Sequence, residues 1–393
     1  MISAIGAVLI LGILIFVHEL GHFLAAKWRG VGVIEFALGF GKVLIKKHFG
    51  GTDYTLRLIP LGGFVRMAGD DPNTVFGDPE HPARAESLLT GADENAADEK
   101  QRFSDPSSWF LKKSLWSRSA IIIAGPLFNL IFAWILAVGA YSFYGKVKDL
   151  DIPVLGAVFP GYPAEAAGLQ EGDKILEIDG RAISTWTDLA QTIRDSAGKP
   201  LLLKVERSKG QEPGLKEITL TGTEDTADMD LLVEEAPQDS SGAEPKKVFK
   251  VGIVPELGRE PASFREALTQ GTQQVYYLCS LTFRIFGALI EGVVAPSKVL
   301  GGPIAVISGA AKSADRGLES SIEFMVLLSV SLCIFNLLPI PILDGGHLLF
   351  IAIEVMMRRP LNLKFIAVAN NIGMAMLLSL MLFALSNDLM RLF

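Results

Sequence analysis

Four stretches of this chain stay apolar for longer than a soluble core needs: approximately Ser3 to Lys27, Ser119 to Tyr144, Ile322 to Leu338 and Phe365 to Leu385. About 20 helical residues cross the roughly 30 Å hydrocarbon layer of a bilayer. No water is available there to satisfy backbone N–H and C=O groups, so such a segment is driven to be helical. With 50% apolar and 20% charged residues among 393, the chain is too apolar for an ordinary soluble protein and too charged for a bare membrane bundle. The expected fold class is a polytopic α-helical membrane protein with four transmembrane helices, a cytoplasmic β-hairpin region and one extracytoplasmic α+β domain. A formal charge of −7 gives no basic field for nucleic acid. Cys279 and Cys333, far apart and in apolar surroundings, support neither a disulfide framework nor a cysteine zinc cluster.

The first apolar run leads into His18 and Glu19 rather than a small-residue cleavage site, and no basic segment precedes it. It reads as a retained helix, residues 1–29, and not as a cleaved signal. Lys27, Arg29, Lys42, Lys46 and Lys47 follow it, and Lys112, Lys113 and Arg118 precede the second span at 119–145. The positive-inside tendency makes the 30–118 loop cytoplasmic, and Arg358, Arg359 and Lys364 before the last span agree. Both termini and residues 146–320 then face the opposite side.

Within the loop, "TLRLIPLGGFVRMAG" predicts a β-hairpin turning at Gly62-Gly63, and "GDPEHPARAESLLTGADENAADEK" a solvated acidic insertion. Residues 146–256 hold a compact mixed domain. Strands "KILEIDG" and "LLLKVER" flank a helical "TWTDLAQTIRDS", an acidic linker starts at Thr221, and "VFKVGIVPE" is a returning strand. Residues 257–320 form an amphipathic helical region, in which Arg284 and Glu291 interrupt an apolar run that lies on the membrane or along the bundle. The third span and its Pro-rich end occupy 321–360, and the fourth span 361–393.

His18-Glu19-Leu20-Gly21-His22 is an HExxH inside the first span. On a helix the two imidazoles share a face and converge on one metal ion, with Glu19 projecting beside it. Ionisable residues at membrane depth cost several kcal/mol and usually mark a functional site. A catalytic zinc site needs a third protein ligand, and the residues after His22 supply no further histidine. Pro339 and Pro341 break the third span just before Asp344, and broken helices are tolerated where they line a site. Spacing alone leaves Asp344 open between a ligand and a turn residue of Asp-Gly-Gly.

HExxH in the first span, "AGPLFNL" in the second and "NLLPIPILDGG" at the end of the third, with "GFGK" and "LGGFVRM" between, together resemble the site-2 protease family of intramembrane zinc metalloproteases, nearest its bacterial sigma-regulating branch. The resemblance implies Zn2+ held by His18, His22 and Asp344, with Glu19 as general base. It implies that Asn129 and Asn336 line the site and hold substrate, where the residues alone leave each open to being only an interhelical hydrogen-bonding group, and that Gly62, Gly63 and Phe64 of a membrane-embedded hairpin contact substrate too. "PAEAAGLQEGDKILEIDG" is similar to a PDZ domain, of which this chain has room for one, not two in tandem. Implied partners are single-span membrane proteins, such as a trimmed anti-sigma factor or remnant signal peptides, the lipid bilayer, and a peptide or protein ligand of the PDZ-like domain. The implied location is the bacterial inner membrane. His18 lies about 15 residues into its span, roughly 22 Å, which puts the site in the cytoplasmic half. His347 is open between a supporting role and a helix start, and His48 and His81 read as loop residues without a catalytic part.

Overall fold

The computed structural model describes residues 2–70, 105–159, 161–196, 198–207, 214–224, 249–299 and 301–392. The acidic insertion and His81 lie outside these residues, as does most of the acidic linker. In chain order the elements are α1 (Ile2–Trp28), β1 (Val33–Phe49), β2 (Thr52–Met67), α2 (Leu115–Tyr144), β3 (Lys146–Asp149), β4 (Leu155–Val158), α3 (Pro163–Ala166), β5 (Asp173–Ile178), β6 (Arg181–Ala182) and α4 (Trp186–Asp195). They continue as β7 (Leu201–Arg207), β8 (Gly214–Leu220), β9 (Thr223–Glu224), β10 (Phe249–Lys250), β11 (Ile253–Pro255), β12 (Leu257–Glu260), α5 (Phe264–Ile290), α6 (Pro296–Val299), α7 (Pro303–Arg316), α8 (Leu318–Asn336), α9 (Asp344–Met357) and α10 (Leu363–Leu392). Two compact units result: Met1–Ala140 with Leu268–Phe393, and Tyr141–Ala267.

In the first unit, α1, α2, α8 and α10 are the four helices among the described residues long and apolar enough to cross a membrane. The protein is membrane-integral by this composition. Three spans differ at their ends from expectation, the fourth because α10 runs Leu363–Leu392 rather than Phe365 to Leu385. The Ser114 hydroxyl accepts from Ser117 N–H at 3.3 Å, so α2 opens at Leu115, before Ser119. Helix α8 stops at Asn336 because Leu338 and Ile340 each precede a proline, which disfavours helical backbone there. The run interrupted by Arg284 falls in α5 and lies along the bundle: Val275, Leu278, Cys279 and Phe286 pack with Ala133, Ala137, Val326, Val330 and Ile334. Helix α7 meets α1 through small residues, since a Cβ on Gly6 would stand 2.4 Å from the Ala314 methyl.

The hairpin corrects the expected turn. Strand β1 reverses into β2 at Gly50 and Gly51, with φ of +57° and +75°, and Phe49 pairs with Thr52. Positive φ at both central residues is the type I′ pattern, which glycine adopts without strain. Beyond it the pairing continues: Val33 to Leu38 oppose Met67 to Gly63 on one edge, and Glu35 to Leu38 oppose Asp53 to Leu56 on the other. Gly62 and Gly63 therefore lie inside β2, which folds back so that its last residues form an outer strand. The expected loop histidine His48 sits in β1, its Nδ1 2.6 Å from an Asp53 carboxylate oxygen.

In the second unit β6-β5-β7-β8 form one antiparallel sheet. Strand β4 pairs with β11, and β3 with β12. Thr185 caps α4 by accepting from Asp188 N–H at 3.0 Å. The expected single returning strand is two short ones, β10 and β11, because Gly252 turns the chain at φ +78°. Leu155, Ile175, Ile178, Leu189, Leu203, Val205 and Leu220 form the core. Within it the Arg207 guanidinium donates to both oxygens of Asp173, at 2.7 and 2.6 Å.

Candidate metal centre

Helix α1 presents His18 and His22 one turn apart, and small residues let it press against α2 at that level. A Cβ on Gly21 would lie 2.3 Å from the Ala124 carbonyl oxygen, and one on Gly125 would lie 2.2 Å from His22 Nε2. Glycine at both positions therefore lets the His22 ring rest on the α2 backbone. There His22 Nδ1–H donates to the Ile121 carbonyl at 2.9 Å. A carbonyl can only accept, so the ring carries its proton on Nδ1 and Nε2 presents its lone pair.

The third arm comes from the far end of the chain. After α8 ends, Ile340 N–H bonds Leu338 O at 2.7 Å and Leu343 N–H bonds Ile340 O at 3.1 Å, so the broken segment satisfies part of its own backbone. Ile342 takes φ +85°, a strained conformation for a β-branched residue. Helix α9 then starts at Asp344. The Asp-Gly-Gly is thus a helix opening rather than a turn. Its glycines serve close packing, for a Cβ on Gly345 would lie 2.2 Å from Leu338 O and one on Gly346 2.3 Å from Ile340 O.

Asp344 Oδ2 stands 3.3 Å from His18 Nε2, and Oδ1 stands 3.5 Å from His22 Nε2. The two Nε2 atoms are 3.2 Å apart, and one donor atom from each residue falls within 4.8 Å of the others. Ligand atoms around a tetrahedral zinc stand about 3.3 Å apart, given bonds of about 2.0 Å. Asp344 Oδ2 is moreover buried with no hydrogen-bond donor. Imidazole lone pairs and a carboxylate facing one another repel unless a cation lies between them, so the donor set fits zinc.

Glu19 shares the helix turn with the histidines and lies within electrostatic reach of His22, His18 and Asp344. The outer strand of the hairpin comes up beside it: a Cβ on Gly63 would stand 3.0 Å from Glu19 Cγ and 3.2 Å from Ile15 Cγ2. Gly62, at φ +109°, leaves room for the Phe40 ring, whose nearest atom would be 2.0 Å from an added Cβ. Phe64 stacks on that ring at 6.5 Å between centroids. Asn129 is fully buried, with Nδ2 3.3 Å from His18 Nδ1. Asn336 closes α8, half-buried. His347, on the first turn of α9, packs edge-on against Phe350.

One supporting pair escaped the sequence reading. Arg118, on the first turn of α2, donates to Glu354 near the end of α9 at 2.9 Å, both side chains being largely buried. Glu354 is the lone acid in an otherwise apolar run after His347, and such an acid signals a buried partner. Glu354 also accepts from Leu361 N–H at 3.4 Å.

This arrangement can be set beside known proteins. The chain is similar to zinc metalloprotease RasP of Geobacillus kaustophilus, 30% identical over all of this chain and 98% of that protein. Two further relatives carry a provisional zinc metalloprotease name. One, from Agrobacterium fabrum, is 32% identical over 97% of this chain and 94% of its own length. The other, from Campylobacter jejuni, is 33% identical over 99% and 94%. The model of peptidase family M50 matches residues 6–380. That match takes in α1 with its HExxH, the hairpin, and the α8–α9 break with Asp344, so the chain belongs to peptidase family M50.

Proposed function

We propose that this protein is an intramembrane zinc endopeptidase that hydrolyses peptide bonds within the transmembrane segments of single-span membrane proteins. The observation that carries this is the convergence of His18, His22 and Asp344 with Glu19 alongside, inside a helix apolar enough to span a membrane. His18 and His22 would hold the metal through Nε2 and Asp344 through its carboxylate. Zinc, when bound, supplies Lewis acidity toward water and the peptide carbonyl. The Glu19 carboxylate accepts a proton from the attacking water and passes it to the nitrogen of the leaving amine.

A substrate helix hides its carbonyls in its own hydrogen bonds and must be extended before it can be cut. Residues 63–67 of β2 pair on one edge with β1, and among the described residues no strand pairs with the other edge. That edge supports β-augmentation, in which Gly62, Gly63 and Phe64 hold an extended substrate backbone beside Glu19. Asn336 is assigned to the same substrate. The Tyr141–Ala267 unit, with its short sheet and α4, is assigned as a PDZ-like domain that takes a peptide ligand. The lysine and arginine pattern around the spans supports an inner-membrane protein with both termini and this unit extracytoplasmic, and the site in the cytoplasmic half. A trimmed anti-sigma factor or a remnant signal peptide suits such a site.

The test compares wild type with Glu19→Gln in detergent. Zinc retained and cleavage of a model single-span peptide abolished is the expected result, and equal cleavage by both proteins would refute it.

A further inference from the structure

The two histidines are held from the same helix by different means. Ile121 and Asn129, about two turns apart on α2, each meet an Nδ1: the Ile121 carbonyl accepts from His22 at 2.9 Å, and the Asn129 amide lies 3.3 Å from His18. Asn129 is fully buried. Its own backbone carbonyl accepts from the Ser329 hydroxyl at 2.7 Å, which ties it to α8. Its side-chain Oδ1 is buried with no partner.

An amide keeps its shape when turned end for end, so its partners decide which end faces which. With Nδ2 toward His18, Nδ1 must accept, and the neutral ring then carries its proton on Nε2. That proton would point at His22 Nε2 and Asp344 Oδ2, 3.2 and 3.3 Å away, and would block coordination, while Oδ1 stays unpaired. With Oδ1 toward His18, Oδ1 gains a donor and Nε2 is freed of its proton, while Nδ2 turns to the buried position in which Oδ1 had none. Nδ1–H donates to Oδ1, and Nε2 offers its lone pair to the same point as the other two ligands.

We propose that Asn129 is a positioning residue that fixes the tautomer and ring orientation of His18 through Oδ1, and is not a substrate-holding residue as the sequence comparison implied. This rests on the assignment of His18 as a ligand. Helix α2 then orients both imidazoles, one by a backbone carbonyl and one by a side chain.

The experiment measures zinc affinity of the full-length protein in detergent by competition with a chelator. Asn129→Ala is expected to weaken zinc by about 10- to 100-fold, the usual loss when the partner of a ligating imidazole is removed. Asn129→Asp, which keeps an acceptor oxygen, is expected to restore most of it, which general loosening of the helix packing would not allow. Wild-type zinc affinity in Asn129→Ala with a raised KM would overturn the proposal in favour of substrate holding. His18→Ala separates the two levels: if it leaves zinc affinity unchanged, the ligand assignment itself fails. If it abolishes binding while Asn129→Ala does not, only the present proposal fails. Histidine 15N NMR of the zinc-loaded wild type decides the matter even if a variant does not fold. A protonated Nδ1 on His18 is expected, and a protonated Nε2 would overturn the proposal.

Discussion

In the Tyr141–Ala267 unit, buried side chains from Leu155 to Val251 gather into an apolar core, and water drives them together. In the unit that carries His18, many large apolar side chains point outward, among them Leu9, Ile135, Ile372 and Leu382. Lipid offers those helices no hydrophobic reward for associating, so contact must come from close backbone approach and polar pairs. Gly6, Gly21, Gly125, Gly345 and Gly346 supply the first. Arg118 with Glu354, and Ser329 with the Asn129 carbonyl, supply the second. Each unit buries a local arginine–carboxylate pair, Arg57 with Glu35 in the first and Arg207 with Asp173 in the second, but the first adds one of longer reach. Arg207 and Asp173 close a local fold with two hydrogen bonds. Arg118 and Glu354 make one, across a sequence separation of 236 residues. The difference teaches where damage should be felt: a lost glycine strikes the chemistry in one unit, and a lost methyl strikes the core in the other.

The largest effect on the metal site and on cleavage is expected from Gly125→Ala. The new methyl would occupy the place of the His22 ring, and a shift of that ring by about 1 Å costs cleavage on the order of 100-fold. Parallel zinc and peptide-cleavage assays check this, and the second unit should keep its protection from hydrogen exchange. Next comes Glu354→Ala, which leaves the Arg118 guanidinium buried without its counter-charge. Such losses cost about 3–5 kcal/mol, read as lower thermal stability in detergent. The double variant with Arg118 and Glu354 both changed to leucine should recover much of it, and a double variant as unstable as the single one would show that the pair is not the source. The smallest effect on the metal site is expected from Leu203→Ala in the second unit. A cavity in its core costs about 2–5 kcal/mol, but zinc affinity should equal that of wild type. A fall in zinc affinity there would break the separation of the two units.

The spans were legible because composition alone marks a helix that must satisfy its own backbone in lipid. HExxH was legible because its two histidines are one helical turn apart, a spacing that secondary structure converts directly into convergence. Asp344 was not, since only tertiary packing brings α9 to α1, and the resemblance to known peptidases had to supply it. The hairpin was recognised but misplaced by one Gly-Gly pair. Alternation in "TLRLIPLGGFVRM" cannot reveal that Gly62 lies against Phe40, where a Cβ would clash, while Gly50-Gly51 makes the turn. Asn129 was singled out, but its 3.3 Å approach to His18 was not legible, because a motif records that an amide is there and not which ring it faces. Arg118 and Glu354 went unpaired for the reason that hid Asp344.

The central claim is that two ends of the chain, His18 with His22 and the residue that opens α9, hold one zinc ion between them. Metal analysis of full-length protein, wild type against Asp344→Ala, after dialysis against a buffered zinc concentration tests this most directly. One zinc per wild-type chain and a loss of tightly bound zinc in Asp344→Ala is the predicted result. Wild-type stoichiometry and affinity in Asp344→Ala would contradict it.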